Sequence, residues 1–178
     1  MQKLILNLTL FRIVAAPIIF ISIIFLDIYW FAFSLFNLAA LTDYFDGKLA
    51  RKYKLESRLG AILDPIGDKL LVVFTLVAVI ILSQDSIIAL MGVIILAREL
   101  WVSALREYSS ANHNSNATAV LFTAKAKTAF QFIALGMYLL GYASNIAMIS
   151  FLANFVMLIA VFLAIKSAIS YTLKTLSS

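Results

Sequence analysis

Apolar runs of about twenty residues recur along this chain, separated by short polar intervals, and that pattern limits what it can fold into. A helix needs roughly 20 residues to cross the hydrocarbon core of a bilayer. Spans are expected near 4–26, 30–50, 61–82, 87–109, 121–143 and 146–170. Hydrophobic residues make up 63% of the chain and charged residues 13%, whereas a soluble domain seldom exceeds about half apolar. The expected fold is therefore all-α: a polytopic membrane protein, a bundle of six transmembrane helices forming a single domain over 1–178. Short connections make successive spans antiparallel. The stretch Ser109–Thr118 reads as a loop. Lys3 before the first apolar run suggests a secretory leader, but Arg12 interrupts the run and no small-residue cleavage site follows. That segment is expected to be the first span, retained. The absence of cysteine excludes disulfides and thiolate metal sites.

Charge orients the bundle. Lys48, Arg51, Lys52, Lys54 and Arg58 lie between the second and third spans, Arg106, Lys125 and Lys127 flank the fourth-to-fifth connection, and Lys3, Lys166 and Lys174 lie towards the termini. The opposite loops hold Asp27 and Asp85 with no Lys or Arg. The positive-inside rule then places both termini in the cytoplasm. The net charge of +5 is accounted for by topology and anionic headgroups, without nucleic acid as a partner.

The most informative segment is DYFDGKLARKYKLESRLGAILDPIGD, residues 43–68. Asp43, Asp46, Gly47 and Ala50 share one helical face, and Gly60, Asp64 and Asp68 repeat every fourth residue on the next span. Both pairs of aspartates reach roughly 12 Å inward from the intervening loop at helical rise, so they converge at similar depth. Each costs about 2.5–3.5 kcal/mol if left facing lipid near the bilayer centre. Mg²⁺ or Mn²⁺ prefers carboxylate oxygens and relieves both the desolvation and the mutual repulsion. Two such ions can grip a diphosphate. Gly47, Ala50 and Gly60 give room for a bulky group, or equally for close helix packing. Arg51 offers a donor fork to phosphate, and Ser57 a hydroxyl.

This segment resembles the signature of the CDP-alcohol phosphotransferase family, D-x2-D-G-x2-A-R-x8-G-x3-D-x3-D. Asp43, Asp46, Gly47, Ala50, Arg51, Gly60, Asp64 and Asp68 fill its fixed positions. The resemblance implies a six-helix membrane fold, homodimeric, in the bacterial inner membrane with its active site facing the cytoplasm. It implies two divalent metals on Asp43, Asp46, Asp64 and Asp68, with Asp68 also the base. Gly47, Arg51 and Ser57, with Ala50, Gly60 and Thr9, would contact CDP-diacylglycerol.

Other segments bear on the acceptor. Arg98 and Glu99 lie inside the fourth span, Arg106 and Glu107 near its end, and Lys125 and Lys127 open the fifth. Cations gathered beside a metal site suit a phosphorylated alcohol. The less favoured alternative makes Lys125 and Lys127 positive-inside anchors and Arg106–Glu107 an interfacial charge pair. Within the family, LTLFRI, ARE with the later S-x-LRE, and K-x-KT are similar to bacterial members that use sn-glycerol 3-phosphate. Ile5-Leu6 replaces a usual Pro-Asn, and Ala124 a usual Gly. The implied reaction joins CDP-diacylglycerol to glycerol 3-phosphate, with Arg98, Arg106, Lys125 and Lys127 on the acceptor phosphate. Alternatives are the same chemistry on phosphatidylglycerol, serine or an inositol-type alcohol, or a cation transporter using the aspartates as a relay. His113 reads as a solvated loop residue, and Trp30 and Trp101 as interfacial or packing aromatics.

Overall fold

The computed structural model describes residues 2–53, 58–111 and 122–176, with side chains over 6–42, 63–111 and 125–175. The described residues form six helices: α1 (Gln2–Ile24), α2 (Tyr29–Tyr53), α3 (Arg58–Ser83), α4 (Ser86–Ala111), α5 (Phe122–Ser144) and α6 (Ala147–Leu176). No strand occurs among them. Four carry apolar stretches long enough to cross a bilayer: Leu6–Ile24, Leu63–Ser83, Ser86–Ala111 and Ala147–Thr175. The apolar part of α2 is shorter, Tyr29–Thr42, because its remaining turns carry the Asp-, Lys- and Arg-rich segment. In α5 the opening turns hold Lys125 and Lys127.

The chain divides into two compact units, Met1–Ser83 with Leu135–Ser150, and Gln84–Ala134 with Phe151–Ser178. In the first, α1 packs on both α2 and α3. Its buried face runs through Thr9, Arg12, Ala15, Ala16, Ile19 and Ile23, while Leu10, Val14, Ile18, Ile21 and Phe25 are exposed on the other face. Ala32, Ala39 and Ala78 are also buried in this unit, and such small side chains let helices approach where lipid offers no hydrophobic drive. In the second unit, buried Ile88, Met91, Ile95, Arg98 and Val102 form one face of α4. Arg98, Trp101 and Ser109 pair successively with Ser167, Thr172 and Thr175, so α4 and α6 run parallel.

Serine and threonine hydroxyls within the helices bond back to carbonyls one turn earlier, as Ser22 does to Ile18 at 2.7 Å and Ser144 to Leu140 at 2.7 Å. This satisfies polar groups that lipid cannot solvate. The tight connections use left-handed residues: Asp27, Gln84 and Asn145 have φ of 54°, 49° and 56°. At Asn145 the cap is a Schellman motif, with Ile146 N–H on Gly141 C=O at 3.1 Å and Asn145 N–H on Tyr142 C=O at 3.4 Å. Asp85 caps α4 through its carboxylate on the Ile87 N–H at 2.7 Å.

Two boundaries correct the sequence reading. The expected loop Ser109–Thr118 begins later, because α4 stays helical through Ala111. Ser109 is buried, its hydroxyl 3.4 Å from that of Thr175, which draws the extra turn into packing. Residues 112–118 lie outside the described region. Likewise α6 runs to Leu176 rather than ending near 170, since Tyr171 is buried and Thr172 accepts from the Trp101 indole.

A Cβ at Gly141 would overlap Ser150 Oγ and stand 3.0 Å from the Ser150 backbone nitrogen, whereas one at Gly136 would meet only the Phe36 ring, at 3.7 Å. Overpacking of this kind costs about 1–3 kcal/mol. Gly141→Ala is expected to lower the thermal midpoint in detergent, and Gly136→Ala to leave it near the parent value.

Candidate active site

The first unit brings four polar side chains together inside otherwise apolar helices. Thr9 and Arg12 are three residues apart on α1, and Asp64 and Asp68 four apart on α3, so each pair shares one face of its helix. The Arg12 guanidinium donates through Nη1 to Asp68 Oδ1 and through Nη2 to Asp64 Oδ1, the latter at 3.2 Å. The Thr9 hydroxyl donates to Asp64 Oδ1. Thr9 and Arg12 are fully buried, while the side chains of Asp64 and Asp68 each keep 39% of their surface exposed. The donors are thus packed into the protein and the carboxylates open at one edge.

The two helices lie in ordinary van der Waals contact at Gly67. A Cβ there would lie 3.6 Å from Arg12 Cβ, Ile13 Cγ1 and the Thr9 carbonyl oxygen, so α1 rests directly on the backbone of α3 between the two aspartates. Arg12 was legible in the sequence only as a break in an apolar run. Its spacing from Thr9, and the rule that an intramembrane arginine needs a partner, were the signals that point to Asp64 and Asp68.

The side chains of Asp43, Asp46, Gly47, Ala50, Arg51 and Gly60, and all of Ser57, lie outside the described residues. The α2 backbone is helical from Tyr29 to Tyr53, which keeps Asp43, Asp46, Gly47 and Ala50 on one helical face. Among the described residues no three His, Cys, Asp or Glu side chains gather in one place. The structure therefore assembles the Asp64–Asp68 half of the expected carboxylate set.

The second unit holds the candidate acceptor residues. Lys127 donates to Glu99 Oε1, and Arg98 Nη1 reaches the same oxygen at 3.4 Å. Arg98 Nη2 donates to the Ser167 hydroxyl at 2.8 Å. Arg98 and Lys127 are buried; Arg106 and Lys125 are exposed. Of the four proposed acceptor cations, two therefore sit inside the packed helices and two outside.

The sequence profile of the family described as CDP-alcohol phosphatidyltransferase matches residues 6–166. The chain belongs to this family. The matched region spans the Thr9–Arg12 segment, both described aspartates and the Arg98–Glu99–Lys127 cluster. Over 140 residues the chain is 43% identical to the CDP-diacylglycerol–glycerol-3-phosphate 3-phosphatidyltransferase of Cereibacter sphaeroides, covering 75% of this chain and 62% of that protein. Over 131 residues it is 38% identical to the enzyme of the same name from Escherichia coli K12, covering 72% of this chain and 71% of that one. A protein of that name from Shigella flexneri serotype 5b matches to the same extent, at 38% identity over 131 residues.

For a CDP-alcohol phosphatidyltransferase, the Arg12 bridge has a direct consequence. Lysine keeps the charge but cannot span two carboxylates as a planar fork does. Arg12→Gln removes about 1–3 kcal/mol of charge-assisted hydrogen bonding and should lower the melting midpoint more than Arg12→Lys. Product formation should fall about 10–100-fold in Arg12→Gln, the range for residues that orient functional side chains. Thermal melts and turnover on the same preparations check both.

Proposed function

We propose that this chain transfers the phosphatidyl group of CDP-diacylglycerol to sn-glycerol 3-phosphate, giving phosphatidylglycerophosphate and CMP. The observation that carries the reading is the pair Asp64 and Asp68, fixed by Arg12 and Thr9 and open at one edge. Family membership and the names of the relatives support the same donor and acceptor. In this reading all six helices span the bilayer with both termini cytoplasmic, in keeping with the bias of Lys and Arg to one set of loops. The acyl chains then stay in lipid while the nucleotide meets water.

The carboxylates present fit a hard divalent cation: oxygen ligands one helical turn apart, with exposed surface. Asp64 and Asp68, together with Asp43 and Asp46 from α2, would hold Mg²⁺ or Mn²⁺. Such ions would neutralise charge on the diphosphate as it cleaves. Arg51 and Ser57 would bind the CDP portion, and Gly47, Ala50 and Gly60 would admit it close to the backbone. Asp68 would accept the proton of the glycerol hydroxyl. The resulting oxygen attacks the phosphorus that bears diacylglycerol; the bond to the CMP phosphate breaks and CMP leaves. Arg98, Arg106, Lys125 and Lys127 would hold the acceptor phosphate and orient that hydroxyl.

Asp68→Asn should reduce CMP release at least about a thousandfold while the protein still inserts and melts cooperatively; wild-type turnover would remove its assigned role. Lys125→Ala should raise the KM for glycerol 3-phosphate and leave that for CDP-diacylglycerol unchanged, and an unchanged acceptor KM would make Lys125 an anchor. Offering purified protein CDP-diacylglycerol with competing glycerol 3-phosphate, serine, inositol and phosphatidylglycerol tests the acceptor itself. The expected lipid product is phosphatidylglycerophosphate; its absence would overturn the assignment.

A further inference from the structure

In the second unit, Arg98 and Lys127 are 8% and 3% exposed, and both point at one carboxylate oxygen, Glu99 Oε1. Among the described residues, one Glu99 oxygen thus serves two buried cations. Two buried N–H groups, Arg98 Nε and Gln131 Nε2, have no acceptor among the described residues. Gln131 is 1% exposed and stands one helical turn after Lys127. A buried donor without an acceptor costs about 1–3 kcal/mol, so the cluster as it stands is short of acceptors.

We propose that Glu99 is a stand-in anion, holding Lys127 while no acceptor is bound and releasing it to the phosphate of the incoming alcohol. The inference rests on reading Arg98 and Lys127 as acceptor-phosphate ligands. A buried ammonium without a counter-charge is strongly unfavourable, so a permanent carboxylate keeps the empty site folded. The same carboxylate opposes binding, because a phosphate must displace it from Lys127. The second Glu99 contact is already weak, at 3.4 Å from Arg98 Nη1. The Glu99 side chain is 19% exposed, which leaves it a route to solvent once displaced. A phosphate monoester brings close to two negative charges and three acceptor oxygens. It supplies a negative charge that can take the place of Glu99 at Lys127, and acceptors for Arg98 Nε and Gln131 Nε2.

Glu99 in this role is a positioning residue, and the sign of its effect separates it from a purely structural ion pair. In Glu99→Gln, the thermal midpoint without ligand should fall, and the upward shift produced by inorganic phosphate or glycerol 3-phosphate should exceed that of the parent protein. The KM for glycerol 3-phosphate should drop roughly three- to tenfold, with the KM for CDP-diacylglycerol unchanged. An unchanged or raised acceptor KM, or a phosphate shift no larger than the parent's, overturns the stand-in. Should Glu99→Gln not be recovered folded, Glu99→Asp decides. Its carboxylate is withdrawn by one methylene, so a smaller fall in the same KM is expected, and no fall overturns the proposal. Parent protein that releases no CMP with glycerol 3-phosphate would instead overturn the acceptor reading, and the stand-in with it. Parent turnover with unmoved Glu99 variants would overturn the stand-in alone.

Discussion

The fully buried guanidinium of Arg12, bridging Asp64 and Asp68, is the interaction on which the candidate site depends. An arginine enclosed by apolar helices is costly without partners, and aspartates two turns into a helix cannot lie at random depth. Each settles the position of the other. Because the carboxylates retain exposed surface, part of the Coulomb attraction is screened by solvent; the buried side of the bridge contributes more than the open side. At Gly67, between the two acids, the backbone of α3 lies in van der Waals contact with α1. The placement of both aspartates on α3 is therefore set by a neighbouring helix, α1.

A related solution recurs in the second unit, with the signs reversed. There the buried groups are cations, Arg98 and Lys127, and the shared counter-ion is Glu99. Both clusters satisfy charges that lipid would reject, yet each leaves capacity unused: open carboxylate edges in one, and in the other Arg98 Nε and Gln131 Nε2 without an acceptor among the described residues. A metal-assisted transfer from a diphosphate to a phosphorylated alcohol calls for surplus negative charge at the metals and surplus positive charge at the acceptor. The remaining polar groups of the helices are largely consumed by back-bonding to their own carbonyls, as at Ser22, Ser34, Ser144 and Thr175.

Much of this was legible in the sequence because membrane helices announce themselves by length. The six helices fall within a few residues of the expected segments, apart from the longer C-terminal ends of α4 and α6, and four of them carry apolar stretches long enough to cross a bilayer. Those ends were misjudged because Ser109, Thr172 and Thr175 are polar residues that read as loop or interface, whereas they pair across the two parallel helices. Asp64 and Asp68 stood out through their spacing. Arg12 stood out less, because its spacing from Thr9 names no partner by itself; its meaning appears only when α1 is laid against α3. Glu99 was readable as a residue inside the fourth span, but that Lys127 from α5 is its partner follows from tertiary packing alone.

The most direct test of the central claim is anomalous diffraction from crystals of the protein grown with CDP-diacylglycerol and Mn²⁺. Asp64 and Asp68, steadied from behind by Arg12, should present oxygens to manganese at about 2 Å, with Asp43 and Asp46 completing the ligand set from α2. Anomalous peaks at those carboxylates are the predicted result. A map in which manganese is absent from them, or in which Asp64 and Asp68 turn away from Arg12 into lipid, would contradict the account.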